Sequence, residues 1–148
     1  MGATAITFDD IPNANAVEGN IPANYKGFSW TNANYLNANA FSGSGYPVIV
    51  TSGAYVAWFN YPMTIQTLVA NTTIALNSCV MGAGWSNSIV LTINGYYNNI
   101  LRNTTTIALN TYTQVVQVFN WYDLNKIVFT ASGSGYLDVG IDNLCITF

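Results

Sequence analysis

Apolar and polar residues alternate at a period of two from one end of this chain to the other, in runs bounded by Gly, Asn and Ser. No window places apolar residues at i, i+3, i+4 and i+7 over the length of a helix. Successive side chains of a strand point to opposite faces, so this period buries one face of a sheet and argues against helices as the main element. The chain is predicted to be all-β. Its clearest segment is SIVLTINGYYNNILRNTTTIAL, in which Ile89, Leu91 and Ile93 alternate with Val90, Thr92 and Asn94. Asn98 and Asn99 tolerate positive φ, as a two-residue hairpin turn requires, and the chain is expected to return through ILRNTTTIAL.

Further strands are expected at ATAITF, PVIVT, AYVAWF, MTIQTLV, NSCVMGAG and the terminal YLDVGIDNLCITF. TQVVQVF and LNKIVFT form another pair of strand candidates, with WYD as their connection; Val116 and Val118 share one face, Ile127 and Phe129 another. About nine or ten strands in one chain call for two packed sheets, each covering the apolar face of the other. TTIALN occurs at Thr72–Asn77 and at Thr105–Asn110, but the match stops at the flanks, so these are two strands of similar pattern and not a solenoid repeat. Residues 9–24, DDIPNANAVEGNIPAN, carry two prolines and no sustained period and are expected to form a long N-terminal loop.

With 51% hydrophobic residues in 148, the chain is expected to fold as one domain, 1–148, with a core of its own. Only 6% of residues are charged, against about a quarter in most soluble domains, so Asn, Thr, Ser and Tyr must make most of the polar surface. Lys26, Arg102 and Lys126 are the only cations and the net charge is -3, which argues against nucleic acid or an anionic membrane as partner. No apolar run approaches the roughly 18 residues of a spanning helix, so membrane insertion is not expected. MGATAI lacks the basic start and apolar stretch of a signal peptide, and Ile6 stands where a myristoylation motif needs Ser or Thr. Cys79 and Cys145 each lie in a strand-like run, and composition leaves two buried thiols and one disulfide equally open. NTT at Asn71 and at Asn103 matches the N-glycosylation acceptor pattern. Together with the low charge and the many Tyr and Thr, this points to a secreted or surface location.

FDD, IPANYKGFSWTN, LTINGYYNNIL, VFNWYDLNKIVFTASG and IDNLCITF follow one another in that order over most of the chain. Their order and spacing resemble a poorly characterised secreted β-sandwich domain of bacterial exported proteins, some with PEP-CTERM sorting tails, and of fungal secreted proteins. That family is similar to the galactose-binding-type jelly rolls used by many carbohydrate-binding modules. The resemblance implies a two-sheet antiparallel jelly roll with its first and last strands side by side, bringing Asp9, Asp10 and Asp142 within reach of one another. It also implies a structural calcium ion near the chain ends, for which Asp9, Asp10, Asp142 and Asn143 are the candidate oxygen ligands. Strand alternation points Asp9 and Asp10 to opposite faces, so only one of them is expected to face Asp142. The competing reading is that Asp10 begins a turn and Asp142 accepts from backbone amides of an adjacent loop. The same resemblance places SCVMGAGW near the last strand, which implies a Cys79–Cys145 bridge. No sorting tail is seen after Phe148, so anchoring of that kind is not expected.

The chain has no histidine, which removes the usual general base, most catalytic triads and His-based zinc sites. A glycosidase would have to use Glu18 with Asp9 or Asp10; a solvated loop acid is the simpler account of Glu18, and catalysis is not expected. Sugar rings stack their C–H faces on aromatic rings while amides and hydroxyls take their hydrogen bonds, so exposed aromatics beside Asn mark a glycan site. Phe28, Trp30, Phe119, Trp121 and Phe129 are assigned to the core, whereas Tyr46, Tyr55, Trp58, Tyr61 and Trp85 lie in Gly-, Ser- and Asn-rich segments and are the ligand candidates. The expected function is binding of a neutral glycan without catalysis. The alternative is a subunit of an extracellular fibre, coat or matrix, because strands without Lys or Glu at their edges are free to self-associate.

Overall fold

The computed structural model describes residues 3–14 and 17–148. Among them run twelve strands: β1 (Thr4–Ile6), β2 (Glu18–Asn20), β3 (Phe28–Thr31), β4 (Asn34–Asn37), β5 (Tyr55–Phe59), β6 (Met63–Thr67), β7 (Ile74–Ala83), β8 (Ile89–Tyr97), β9 (Ile100–Leu109), β10 (Val115–Leu124), β11 (Lys126–Ser132) and β12 (Val139–Thr147). One antiparallel sheet has the order β10-β7-β12-β5-β4-β2, with β1 also on β12; the other has the order β3-β6-β11-β8-β9. Their inner faces close on one core that holds Leu76, Leu91, Ile127 and Ile141, with Phe59 and Phe129 6.0 Å apart. The first and last strands are neighbours, with Thr4 opposite Ile146 and Ile6 opposite Leu144.

The β8–β9 hairpin folds as its sequence predicts. Ile89, Leu91 and Ile93 are buried, and Asn98 and Asn99 take φ of 47° and 64°. Both turn residues are thus left-handed, which is the twist-matched geometry of a two-residue hairpin. Asn125 secures the turn from outside: its side chain accepts from the Asn98 amide (3.0 Å) and donates to the Asn98 side chain (2.8 Å).

Three expectations need correction. β10 and β11 do not pair; β10 joins β7 and β11 joins β6 and β8, so the chain crosses between sheets at Asn125. WYD belongs to β10 itself, which bends through two register shifts where Asn120 and Asp123 have positive φ. PVIVT is not a strand: Tyr46–Val48 is a 3-10 turn, with Pro47 in its first turn and Ile49 just beyond it. The pattern that decides is Tyr46 and Ile49, three apart and both buried, because side chains at i and i+3 eclipse on a 3-10 turn. The long loop at 9–24 is broken by β2, which pairs with β4; Asn15 and Ala16 of that stretch lie outside the described residues.

The segment 38–54 covers the outer face of the first sheet and forms a second, smaller apolar cluster of Leu36, Tyr46, Ile49, Val56 and Val80. Part of its floor is bare glycine backbone. A Cβ on Gly140 would come within 2.8 Å of Ile49 and 2.9 Å of Tyr46, and one on Gly84 within 2.6 Å of Tyr46. Glycine is required here by close approach and not by φ.

The implied Cys79–Cys145 bridge is also absent: both are free thiols. β7 and β12 are neighbours, yet Cys79 belongs to the core between the sheets, while Cys145 lies opposite Ser78 between the inward-facing Leu144 and Ile146 and so points outward. Two side chains on opposite faces of one sheet cannot reach each other.

Candidate functional site

At the chain ends the acids are brought close but turned to different tasks. Asp142 is fully buried; its Oδ2 accepts from the Thr51 amide (2.8 Å) and hydroxyl (3.0 Å), and its Oδ1 from the Asn143 amide (2.8 Å). Asp9 accepts from the amides of Ala54 and Tyr55, both at 3.1 Å, and from the Ser52 hydroxyl. Gly53, at φ 61°, lets the loop wrap the Asp9 carboxylate, since a Cβ there would lie 2.1 Å from an oxygen. Asp10 turns away to the Lys26 ammonium and the Tyr25 hydroxyl, which hold its carboxyl below the usual range. Asn143, at φ 47°, occupies the irregularity that shifts the register of β12. A calcium ion needs six to eight converging oxygens. These residues do not fit one, because N–H and O–H donors already face both carboxylates and Asp10 does not join them.

Burial pushes the Asp142 carboxyl up, against the three donors that favour its charged form. Its place is structural: together with Asp9 it pins the loop 51–55 to the chain ends.

Of the five aromatic candidates, Tyr61 stands in one cleft and three others gather elsewhere. Tyr61 follows β5 and is 70% exposed. It lines an open cleft of about 350 Å³ with Asn20, Trp30, Asn32, Asn34 and Asn60 at the rim where β3 of one sheet approaches β2 and β4 of the other. Trp30 was assigned to the core, and it does pack there; its indole N–H donates to the Tyr25 carbonyl at 2.8 Å, and Phe8, Tyr25 and Phe28 surround it. Being only part-buried, it also forms a wall of the cleft. The Asn32 side chain donates to the Pro62 carbonyl, which fixes one amide, while Asn20 and Asn60 are exposed. No lining residue is charged.

Tyr46, Trp58 and Trp85 meet on the outer face of the first sheet. With Glu18, Phe41 and Asp138 they line a recess of about 70 Å³. It adjoins an open cleft of about 360 Å³ walled by Trp85, Tyr136 and Asp138. Tyr46 is buried and meets Trp85 edge-on at 6.4 Å. Burial, then the charges of Asp138 and Glu18, pushes its phenol well above the ordinary range. Tyr136 and Asp138 were missed in the sequence because they lie some 50 positions from Trp85; only the Gly- and Ser-rich SGSGY around Tyr136 marked an exposed aromatic. Tyr55 belongs to neither place, since it is part-buried and edge-on to Tyr35 on the inner face.

The sequon residues separate likewise: Asn71 is exposed in the turn before β7, and Asn103 is half-buried in β9 opposite Gly95. Glu18 lines the Trp58 recess, and Asp10 faces Lys26.

No protein-family model matches the chain, and no curated protein matches it. Among solved structures it is similar to one described as TmCBM61 in complex with beta-1,4-galactotriose, at 13% identity over 85% of this chain and 94% of that chain, with a TM-score of 0.46.

Proposed function

We propose that this chain is a secreted module that binds a neutral carbohydrate at the Tyr61 cleft and does no chemistry on it. One observation carries the reading: an exposed Tyr61 and a part-exposed Trp30 share a cleft with four asparagines and no charged side chain. Aromatic faces take the C–H face of a sugar, amides both donate to and accept from its hydroxyls, and the absence of charge suits an uncharged ligand. Amide side chains offer no general acid or base, so the bound sugar would leave unchanged. Secretion accords with the low charge and with the exposed sequon at Asn71.

The test is calorimetric titration with neutral β-linked oligosaccharides of galactose, glucose and mannose. At least one is expected to bind, and Tyr61→Ala to weaken it by roughly tenfold, the order of an aromatic contact. An array of neutral glycans without a single ligand would refute the reading.

A second reading rests on β10. It is an edge strand of ten residues, and its Val116 and Val118 are 62% and 61% exposed. Unpaired N–H and C=O groups beside exposed valines are a template for pairing with another chain, as a fibre or coat subunit would need. Concentration-dependent assembly in sedimentation velocity, lost in Val118→Lys, is the result that reading expects.

A further inference from the structure

β6 begins at Met63, two residues after Tyr61, and ends at Thr67, so the Tyr61 cleft and the chain beyond Thr67 lie at opposite ends of one strand. At that far end Gln66 of β6, Lys126 of β11, Tyr96 of β8 and Leu101 of β9 form one row across the second sheet. Apolar side chains stand out at this end in two places. Leu68 and Val69, just after β6, are 48% and 66% exposed; Ile100 and Leu101, at the start of β9, are 63% and 50% exposed. Single exposed hydrophobics are ordinary, but four aliphatic side chains gathered at two loop tips mark an interaction surface.

Both tips are tied to the sheet. Asn125 stands between them: its carbonyl accepts from the Thr67 amide (3.0 Å) and its amide donates to the Tyr96 carbonyl (2.8 Å). β6 and β9 are three strand spacings apart, about 14 Å, so the tips are two prongs and not the walls of a groove. Charge is spread unevenly over the molecule. Two of the three cations stand here, Arg102 over the Tyr97 ring (5.6 Å) and Lys126 over the Tyr96 ring (4.9 Å). Neither 67–72 nor 96–103 contains an acid, and Asp123 lines the hollow beside Thr73 and Phe148. The net charge of -3 is thus an average over a chain whose tip is cationic.

We propose that this end docks on a lipid bilayer with anionic headgroups. Leu68, Val69, Ile100 and Leu101 enter the boundary between headgroups and acyl chains, and Arg102 and Lys126 meet the lipid phosphates. Aliphatic tips gain by leaving water, while Tyr rings and long cationic side chains bridge an apolar layer and a wet one. Two separate prongs suit a broad, deformable surface. A second copy of the chain fits less well, because tip-to-tip contact would set the cations of one copy against those of the other. A docked chain holds the Tyr61 cleft away from the lipid. The docking surface is separate from that cleft and does not rest on what the cleft binds.

The experiment is flotation of the whole chain with two kinds of vesicle, phosphatidylcholine alone and equal parts of phosphatidylcholine and phosphatidylserine. The mixed vesicles are expected to bind the chain more tightly, and less so as salt rises. Val69→Ser combined with Ile100→Ser should weaken binding at least about tenfold, with an unchanged melting temperature because both sites are exposed. Arg102→Gln should weaken binding to the mixed vesicles by about fivefold, the order of one cation near an anionic surface, and leave binding to phosphatidylcholine alone unchanged. Tyr61→Ala should bind vesicles as the wild type does. No binding to the mixed vesicles, full binding by the folded double variant, or loss of binding in Tyr61→Ala would each overturn the proposal. Self-association that the double variant abolishes, without vesicle binding, would overturn it in favour of a second copy.

Discussion

Asp142 shows how one buried carboxylate ties a loop to the chain ends through hydrogen bonds. Thr51 and Asn143 supply its three donors, and removing the carboxylate strands the two amides at a part-buried position. Asp142→Ala is therefore expected to destabilise by about 2–3 kcal/mol in denaturant unfolding. A calcium chelator is expected to leave the melting temperature of the wild type unchanged, and a drop with chelator would show that an ion sits there after all. Asp10 behaves differently with pH. Its native pKa lies below that of the unfolded chain, so its contribution is present above the unfolded value of about 3.9 and is lost as pH falls through the native one. Asp10 is exposed, so the effect is small, within about 1 kcal/mol, and Asp10→Asn should flatten the acid limb of a stability–pH curve by that amount. The cysteines give a third check at this scale. Burial raises the Cys79 thiol far above its ordinary range, so it should resist labelling until the chain unfolds, and the denatured, unreduced chain should yield two free thiols.

At the scale of elements, local signals were legible and crossings between sheets were not. The β8–β9 hairpin could be read because its alternation and its Asn98–Asn99 turn lie within one continuous stretch. β10 could not be assigned to its sheet, because Val116 and Val118 alternate as any half-buried strand does and nothing local says which sheet pairs with it. PVIVT misled for a similar reason, since four apolar residues in a row fit a strand and only the glycines 35 and more residues away show what Tyr46 and Ile49 pack on. That floor is testable. Gly140→Ala must push Tyr46 and Ile49 aside and is expected to cost about 1–3 kcal/mol, whereas Gly43→Ala, with nothing within 4 Å, should cost little of that.

The whole molecule places two aromatic sites of opposite character on one sandwich, an uncharged cleft at its rim and an acidic recess on an outer face. The sequence singled out Tyr61, Trp58 and Trp85 from the company of Gly, Ser and Asn, but not their grouping. Asn60 adjoins Tyr61 in the chain, but Asn20 and Asn34 reach it only through pairing of β2, β4 and β5, and Tyr136 and Asp138 reach Trp85 only through the turn that precedes β12. The central claim is that the Tyr61 cleft holds a neutral sugar. Titration of wild type and Tyr61→Ala with the same neutral oligosaccharide tests it most directly: binding by the wild type and a roughly tenfold loss in the variant is the expected result. Equal binding by both would contradict it.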